Sequence, residues 1–401
     1  MYYYYYTKYY PSDILVYVEE VNRDENTLVF DFIDSNEYAK FDNALEIQNN
    51  ILKASTVKVT NYKQKSIREN TVYAIDRKVL LTLRQSIELT EDSFLFGYSI
   101  NLPDTTDFLF KTSVTIGELD RYTIGAIIRG GSDKTILDIP LKGSIDVTVR
   151  NIGQGNWNEI SVNNKVKVVY DAGASMYASR AVIRTHIGRK PIEYSESKPC
   201  LILSHWDKDH YHSLVGMSDA ELQCFSSFIC PDILPNITSR TLYARIVAAI
   251  GSNNVYTVSN IPKVIGTPST LGLISPVTNK LMVFNSTQNK DRNVSGIVLA
   301  IKTSNSSIII PADSHYGLLS SYILPMLNHT HSHNLVVPHH GGNAGAYDYN
   351  MYPGTTPRQA VISVGHNRYG HPNLAYSRAL TLDWFQVLNT QTEGADITIN
   401  L

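Results

Sequence analysis

Apolar positions fall differently in the two halves of the chain. Over residues 12–110 the runs are short and mixed with polar positions, an α+β pattern. Residues 14–18 and 27–32 read as two β-rich runs around Asn22-Arg23-Asp24-Glu25-Asn26, which has the composition of a hairpin turn. Residues 56–60, 71–75 and 79–83 are further strand candidates. After about residue 140 the pattern changes to glycine-punctuated, strongly apolar strands. Four of these end abruptly in polar residues. Leu201-Ile202-Leu203-Ser204 runs into His205-Trp206-Asp207-Lys208-Asp209-His210, and Ser307-Ile308-Ile309-Ile310-Pro311-Ala312 ends in Asp313. Leu335-Val336-Val337-Pro338 leads into His339-His340-Gly341-Gly342, and Ala360-Val361-Ile362-Ser363-Val364-Gly365 leads into His366-Asn367-Arg368-Tyr369-Gly370-His371-Pro372.

This shift places a domain boundary near 140. Residues 1–140 form an N-terminal accessory or interaction domain, β-rich and α+β. Residues 141–401 form an α/β domain whose strand ends carry the chemistry. No repeat is visible at periods of 20–50 residues. Met1 and the five tyrosines after it read as a lead-in or an edge strand.

The chemistry comes from crowding. Carboxylates and imidazoles at the density of residues 205–210 repel or desolvate one another unless a cation sits among them. A divalent ion removes that cost, and two would use all four groups. In a layered α/β protein the ends of such strands converge on one edge.

Composition narrows the classes. The 401 residues carry 35 basic and 37 acidic side chains, so overall charge does not hold a polyanion. The charge is uneven, with ten acids and three bases in residues 1–50, then eight bases and two acids in residues 53–84. That reads as a solvated face or a docking surface for a partner or phosphates. Apolar runs stay short of the roughly 18 residues that span a bilayer, and no signal-peptide pattern is visible. Three cysteines (Cys200, Cys224, Cys230) make no disulfide framework and suit a reduced, cytoplasmic setting with no membrane partner.

His205-Trp-Asp207-Lys-Asp209-His210 resembles the His-x-His-x-Asp-His signature of the metallo-β-lactamase superfamily, with Asp at the second position. That variant is similar to the soluble hydrolase domain of the ComEC competence family. Further segments agree in order: Asn151-Ile152-Gly153-Gln154-Gly155-Asn156, Val169-Tyr170-Asp171-Ala172-Gly173, Asn293 and Ser295 before a strand, Ala312-Asp313, Pro338-His339-His340-Gly341, and Asn367-Arg368-Tyr369-Gly370-His371-Pro372. The resemblance covers about residues 145–385.

The resemblance implies an αββα sandwich with two divalent metal ions, zinc or manganese, at one edge. His205 and Asp207 would hold the first, Asp209 and His210 the second, and Asp313 would bridge them. One of His339 and His340 would complete the second site, and spacing does not choose between them. No histidine lies between His212 and His315, where the superfamily has one, so the first site is short of a ligand, with His371 the candidate to supply it. Asp209 would also orient the attacking water. His371, with Asn367 and Tyr369, would contact the scissile phosphate or protonate the leaving oxygen. Asp171 would brace the metal loop.

Arg180 and Arg184 share one helical face after the Asp171 strand and suit phosphate steering or a solvated helix. His329, His331 and His333 read as a polar loop at the opposite edge, because roughly 3.3 Å per residue separates them from His339 by more than about 13 Å. The implied activity is a metal-dependent phosphodiesterase or nuclease acting on nucleic acid, DNA first. The alternatives are a hydrolase of small phosphodiesters such as cyclic nucleotides, and a non-catalytic scaffold binding a protein partner through residues 1–140.

Overall fold

The computed structural model describes residues 13–45, 55–62, 66–83, 88–91, 97–101, 110–114, 126–128, 137–289, 291–327, 332–349 and 355–401. The tyrosine-rich start and His329 and His331 lie outside them. The chain divides into two units. One comprises Met1–Tyr122 with Tyr177–Val182 and Ile233–Ala244, and the other Thr123–Met176, Ile183–Asp232 and Arg245–Leu401.

The first unit is built on a seven-stranded mixed sheet. Ile14–Asn22 and Thr27–Phe32 pair antiparallel across the expected turn. Asn22 Oδ1 closes that turn by accepting the Asp24 and Glu25 N–H groups, both at 3.1 Å. Helix Ser35–Leu45 begins at Asp34, whose Oδ1 caps Asn36 and Glu37 at 2.9 and 3.0 Å. Its Tyr38, Phe41 and Ala44 recur at helical spacing and are buried with Phe30 and Phe32. Residues 79–83, expected as a strand, are helical within Arg77–Leu83. The local start decides it. Asp76 Oδ1 accepts the Lys78 N–H at 2.9 Å, and the Asp76 carbonyl accepts from Leu80 at 3.1 Å.

The second unit contains an eight-stranded and a seven-stranded sheet. Their facing sides interlock in one apolar core, with Val147, Ile160, Val168 and Ile202 from one sheet against Val283, Leu299, Ile308 and Ile310 from the other. Period-two alternation explains the continuous apolar runs. Ile308 and Ile310 point between the sheets, whereas Ile309 points to the outer face and packs with Tyr316, Leu319, Ile323 and Leu380. Helices cover that outer face and the opposite one. On the opposite side, Tyr211 of helix Lys208–Gly216 meets the Trp206 ring at 5.5 Å, and Trp206 meets Phe228 at 6.2 Å. The unit is thus an α/β/β/α sandwich, the architecture expected from the sequence. Among the described residues no helix is long and apolar enough to cross a membrane.

Candidate metal centre

Parallel pairing brings the strand ends together. Lys165–Tyr170, Cys200–Ile202 and Ser227–Pro231 run parallel in one sheet, and Ser306–Ile310, Ser332–Val336 and Thr356–Ile362 do so in the other. Parallel strands end on a common edge, and their following loops meet there. Those loops carry Asp171, His205 to His210, Asp313, His339 with His340, and His371.

Two groups of potential ligands form: His205, His210 and Asp313, and Asp209, His210 and His340. His210 Nε2 lies 3.3 Å from Asp313 Oδ1 and 3.8 Å from Asp209 Oδ1. His340 Nε2 lies 3.1 Å from Asp209 Oδ2 and 4.0 Å from Asp313 Oδ1. On the other side of Asp313, Oδ2 is 3.8 Å from both His205 Nε2 and His339 Nε2. His205 Nε2, His210 Nε2 and Asp313 Oδ1 are buried without a hydrogen-bond partner. Buried polar atoms are normally satisfied, so three on one spot fit a cation.

Groups behind the centre fix which ring nitrogens face it. Asp171, fully buried, accepts at Oδ1 from the Ser204 N–H (2.7 Å) and at Oδ2 from the Ser204 hydroxyl (2.9 Å) and His210 Nδ1–H (2.8 Å). Ser204 Oγ also lies 2.9 Å from His205 Nδ1. His340 Nδ1–H donates to the Ser363 carbonyl at 2.8 Å, and His339 Nδ1–H to the Asn343 carbonyl at 3.0 Å. Every one of these rings therefore presents Nε2 to the centre. Asp171, Ala312, His339 and His340 have φ of 59, 51, 52 and 54°. These left-handed conformations cost a non-glycine residue on the order of 1–2 kcal/mol each, and they cluster where the loops must aim side chains inward.

The glycine-rich turn is a support rather than a ligand loop. Asn156 N–H donates to the Asp209 carbonyl at 3.0 Å, and Gly173 N–H to the Asn156 carbonyl at 2.8 Å. A Cβ at Gly173 would stand 1.6 Å from the Asp209 carbonyl oxygen, so only glycine lets these backbones meet.

The electrostatics follow from the packing. Burial alone would raise the carboxyl of Asp313, but His210, His339 and His340 outweigh it and hold it well below the usual range. Asp209 is lowered in the same way, with burial opposed by His210 and His340. Burial opposes charge on His210 and His340 too, yet the surrounding aspartates raise both. Burial, with the nearby His340 and His339, pushes His371 down to about 4. A ring of that kind is neutral near pH 7 and suits donating a hydrogen bond more than releasing a proton.

The remaining residues singled out in the sequence take varied positions. Asp207 stands in neither ligand group. Its Oδ1 pairs with Arg292 Nη2 and its Oδ2 lies 3.4 Å from His205 Nε2. Burial would raise this carboxyl, but Arg292 and His205 hold it well below the usual range. His371 also lies outside both groups, with Nδ1 3.3 Å from Gln154 Nε2 and its ring centroid 5.4 Å from that of His339. Asn367 uses its amide on its own loop, donating to the Gly365 and His371 carbonyls and accepting from the Tyr369 and His371 N–H groups. Tyr369 is 42% exposed. Arg180 is exposed, and both Arg184 Nη atoms pair with Glu221 at 2.8 Å. His333 is a buried strand residue instead of part of a polar loop. Its Nδ1 meets Ser307 Oγ at 3.0 Å and its Nε2 contacts the Tyr349 hydroxyl.

Arg292, Gln154 and Ser204 are functional residues that the sequence pattern does not single out. Ser204 borders the ligand run and Gln154 lies inside a quoted motif, so both carried some signal. Arg292 adjoins Asn293 but has none of its own.

No protein-family model matches the chain, and no curated protein matches it. Similar solved structures include the metallo-beta-lactamase fold protein YhfI from Bacillus subtilis, 12% identical with a TM-score of 0.34 over 64% of this chain and 100% of that one. Another is CmlA, a diiron beta-hydroxylase from Streptomyces venezuelae, 9% identical with a TM-score of 0.35 over 65% of this chain and 54% of that one.

Proposed function

We propose that this chain is a metal-dependent phosphodiesterase that hydrolyses nucleic acid, with DNA the first polymer to test. One observation carries the metal-dependent part: His205 Nε2, His210 Nε2 and Asp313 Oδ1 converge, buried and unpartnered, beside Asp209 and His340. This nitrogen–oxygen donor set suits zinc or manganese. A divalent cation held there lowers the pKa of a water and offsets charge on phosphate oxygens.

The chain's own groups do the rest. Asp209, 23% exposed at its side chain, is placed both to hold a cation and to orient a water. The Asn293 amide, 3.5 Å from His339 Nε2, and the half-buried His371 supply contacts for phosphate oxygens. The Gln154 amide holds His371 with Nδ1 as acceptor, leaving the proton on Nε2. The exposed Tyr369 ring offers a surface for stacking a base. The polymer assignment is supported by the motif resemblance, and residues 1–140, with the basic run 53–84, are proposed to bind a protein partner.

The test is cleavage of single- and double-stranded DNA and RNA, and of cyclic dinucleotides, by the full chain with added manganese or zinc. The control is the Asp209→Ala, His210→Ala double variant. Polymer cleavage that the double variant loses supports the reading. Turnover of cyclic dinucleotides alone replaces the polymer with a small phosphodiester. No hydrolysis of any of them with metal bound overturns it.

A further inference from the structure

Arg292 holds a place that the ligand pattern does not anticipate. Its Nη2 pairs with Asp207 Oδ1, and its Nη1 donates to the Trp206 carbonyl at 3.0 Å. The guanidinium is anchored at two points, and its side chain is 16% exposed. Asp207 is the residue before helix Lys208–Gly216, where a carboxylate ordinarily caps a helix N–H, yet it caps none. It is turned instead to Arg292 and His205.

A second observation points the same way. Both ligand groups draw on His210. Its Nδ1 is used by Asp171 and Ser204, so only Nε2 faces the centre. One ring nitrogen has one lone pair and ligates one ion. The groups therefore compete for His210 and cannot both be filled as they stand. The Asp209 group also has His340 within 3.1 Å of Asp209, while the His205 group has beside it Asp207, which already pairs with a fixed cation.

We propose that the centre holds one tightly bound divalent cation, at Asp209, His210, His340 and Asp313, and that Arg292 supplies the second positive charge by pairing with Asp207. This rests on the metal-dependent reading above and specifies how many ions that reading uses. A guanidinium stays protonated at any physiological pH, so it cannot yield its place by losing charge. A carboxylate shared with it is a weaker donor, and a second ion at His205 and Asp207 would meet like charge. Arg292 is thus a positioning residue for charge, acting through Asp207.

The experiment titrates metal-free full chain with manganese, and separately with zinc. Bound metal is counted by equilibrium dialysis with elemental analysis, and affinity is measured by calorimetry. Wild type is expected to retain one equivalent. Asp207→Asn should keep that equivalent with Kd changed by less than about threefold, whereas His210→Ala should weaken it by at least about a hundredfold. Arg292→Gln should acquire a second equivalent, at least about tenfold tighter than any second binding in wild type. Arg292→Lys keeps the charge and should stay at one, which holds the test open if the Gln variant does not fold. Two equivalents of similar affinity in wild type overturn the proposal while leaving a metal-dependent enzyme. Loss of the tight equivalent in Asp207→Asn, or a second one in Arg292→Lys, overturns it likewise. No bound metal in wild type overturns the underlying reading.

Discussion

Two buried imidazoles bracket the strand Ser332–Val336. His333 is its second residue and His340 follows its far end, and they are 1% and 3% exposed. Burial is the same, but the consequences are opposite. His333 has a partner for each ring nitrogen, Ser307 and Tyr349, and burial pushes its pKa down to about 3. His340 has a carbonyl behind it and carboxylates in front, which raise its pKa against the effect of burial. A buried histidine with two neutral partners is part of the core. The same residue facing uncompensated carboxylates is part of a cation site.

Deleting each ring in turn separates the two roles. His340→Ala should weaken metal binding by at least about a hundredfold and reduce hydrolysis by a comparable or larger factor. His333→Ala should cost stability, about 1–3 kcal/mol from groups left unpaired, while metal affinity in the folded protein stays within about threefold. Calorimetric metal titration of both variants decides it, and equal loss of metal would end the distinction.

A second prediction concerns the group behind the centre. Asp171→Asn keeps the shape but removes the charge that orients His210, and should lower metal affinity by about 10–100-fold. Equilibrium dialysis against a metal buffer measures this. An unchanged affinity would mean that the ring needs no brace.

Acid stability sharpens the His333 side. The folded pKa of about 3 lies below an unfolded value of about 6.5. Above the higher value both states are neutral and the group contributes no pH dependence. As pH falls from about 6.5 towards 3 the unfolded chain takes up a proton that the folded chain refuses. Stability should fall by up to about 1.4 kcal/mol per pH unit from this one group. Urea unfolding of wild type and His333→Gln across pH 7.5 to 4 should show that slope reduced in the variant.

The smallest expected effect is at Gln154, which touches His371 and neither ligand group. Gln154→Ala should lower kcat/KM by about two- to tenfold, the worth of one hydrogen bond, with metal affinity unaltered. Steady-state kinetics paired with metal titration would show a split that a general loss of structure does not produce.

Much of the second unit is legible in the order of its residues alone. Apolar strands buried on both faces read as continuous runs, so 201–203, 307–310, 335–337 and 360–364 announced themselves, and each polar ending marked a loop. Crowded carboxylates and imidazoles pointed to a cation because local spacing alone creates the electrostatic cost. Local signals were weaker where one capping group decided, as at Asp76, which turned an expected strand into a helix.

The packed fold makes His340 and not His339 the ring paired with Asp209, because adjacent residues differ by their loop's turn and not by their spacing. It alone revealed that His333 is satisfied, since Ser307 and Tyr349 are remote in sequence. The pairing of Arg292 with Asp207 spans 85 residues, and Arg292 to Trp206 spans 86. A one-dimensional pattern records which groups are present and how closely they follow one another. Which charges end up neutralising which is set by the meeting of two sheets, and that is a property of the packed fold.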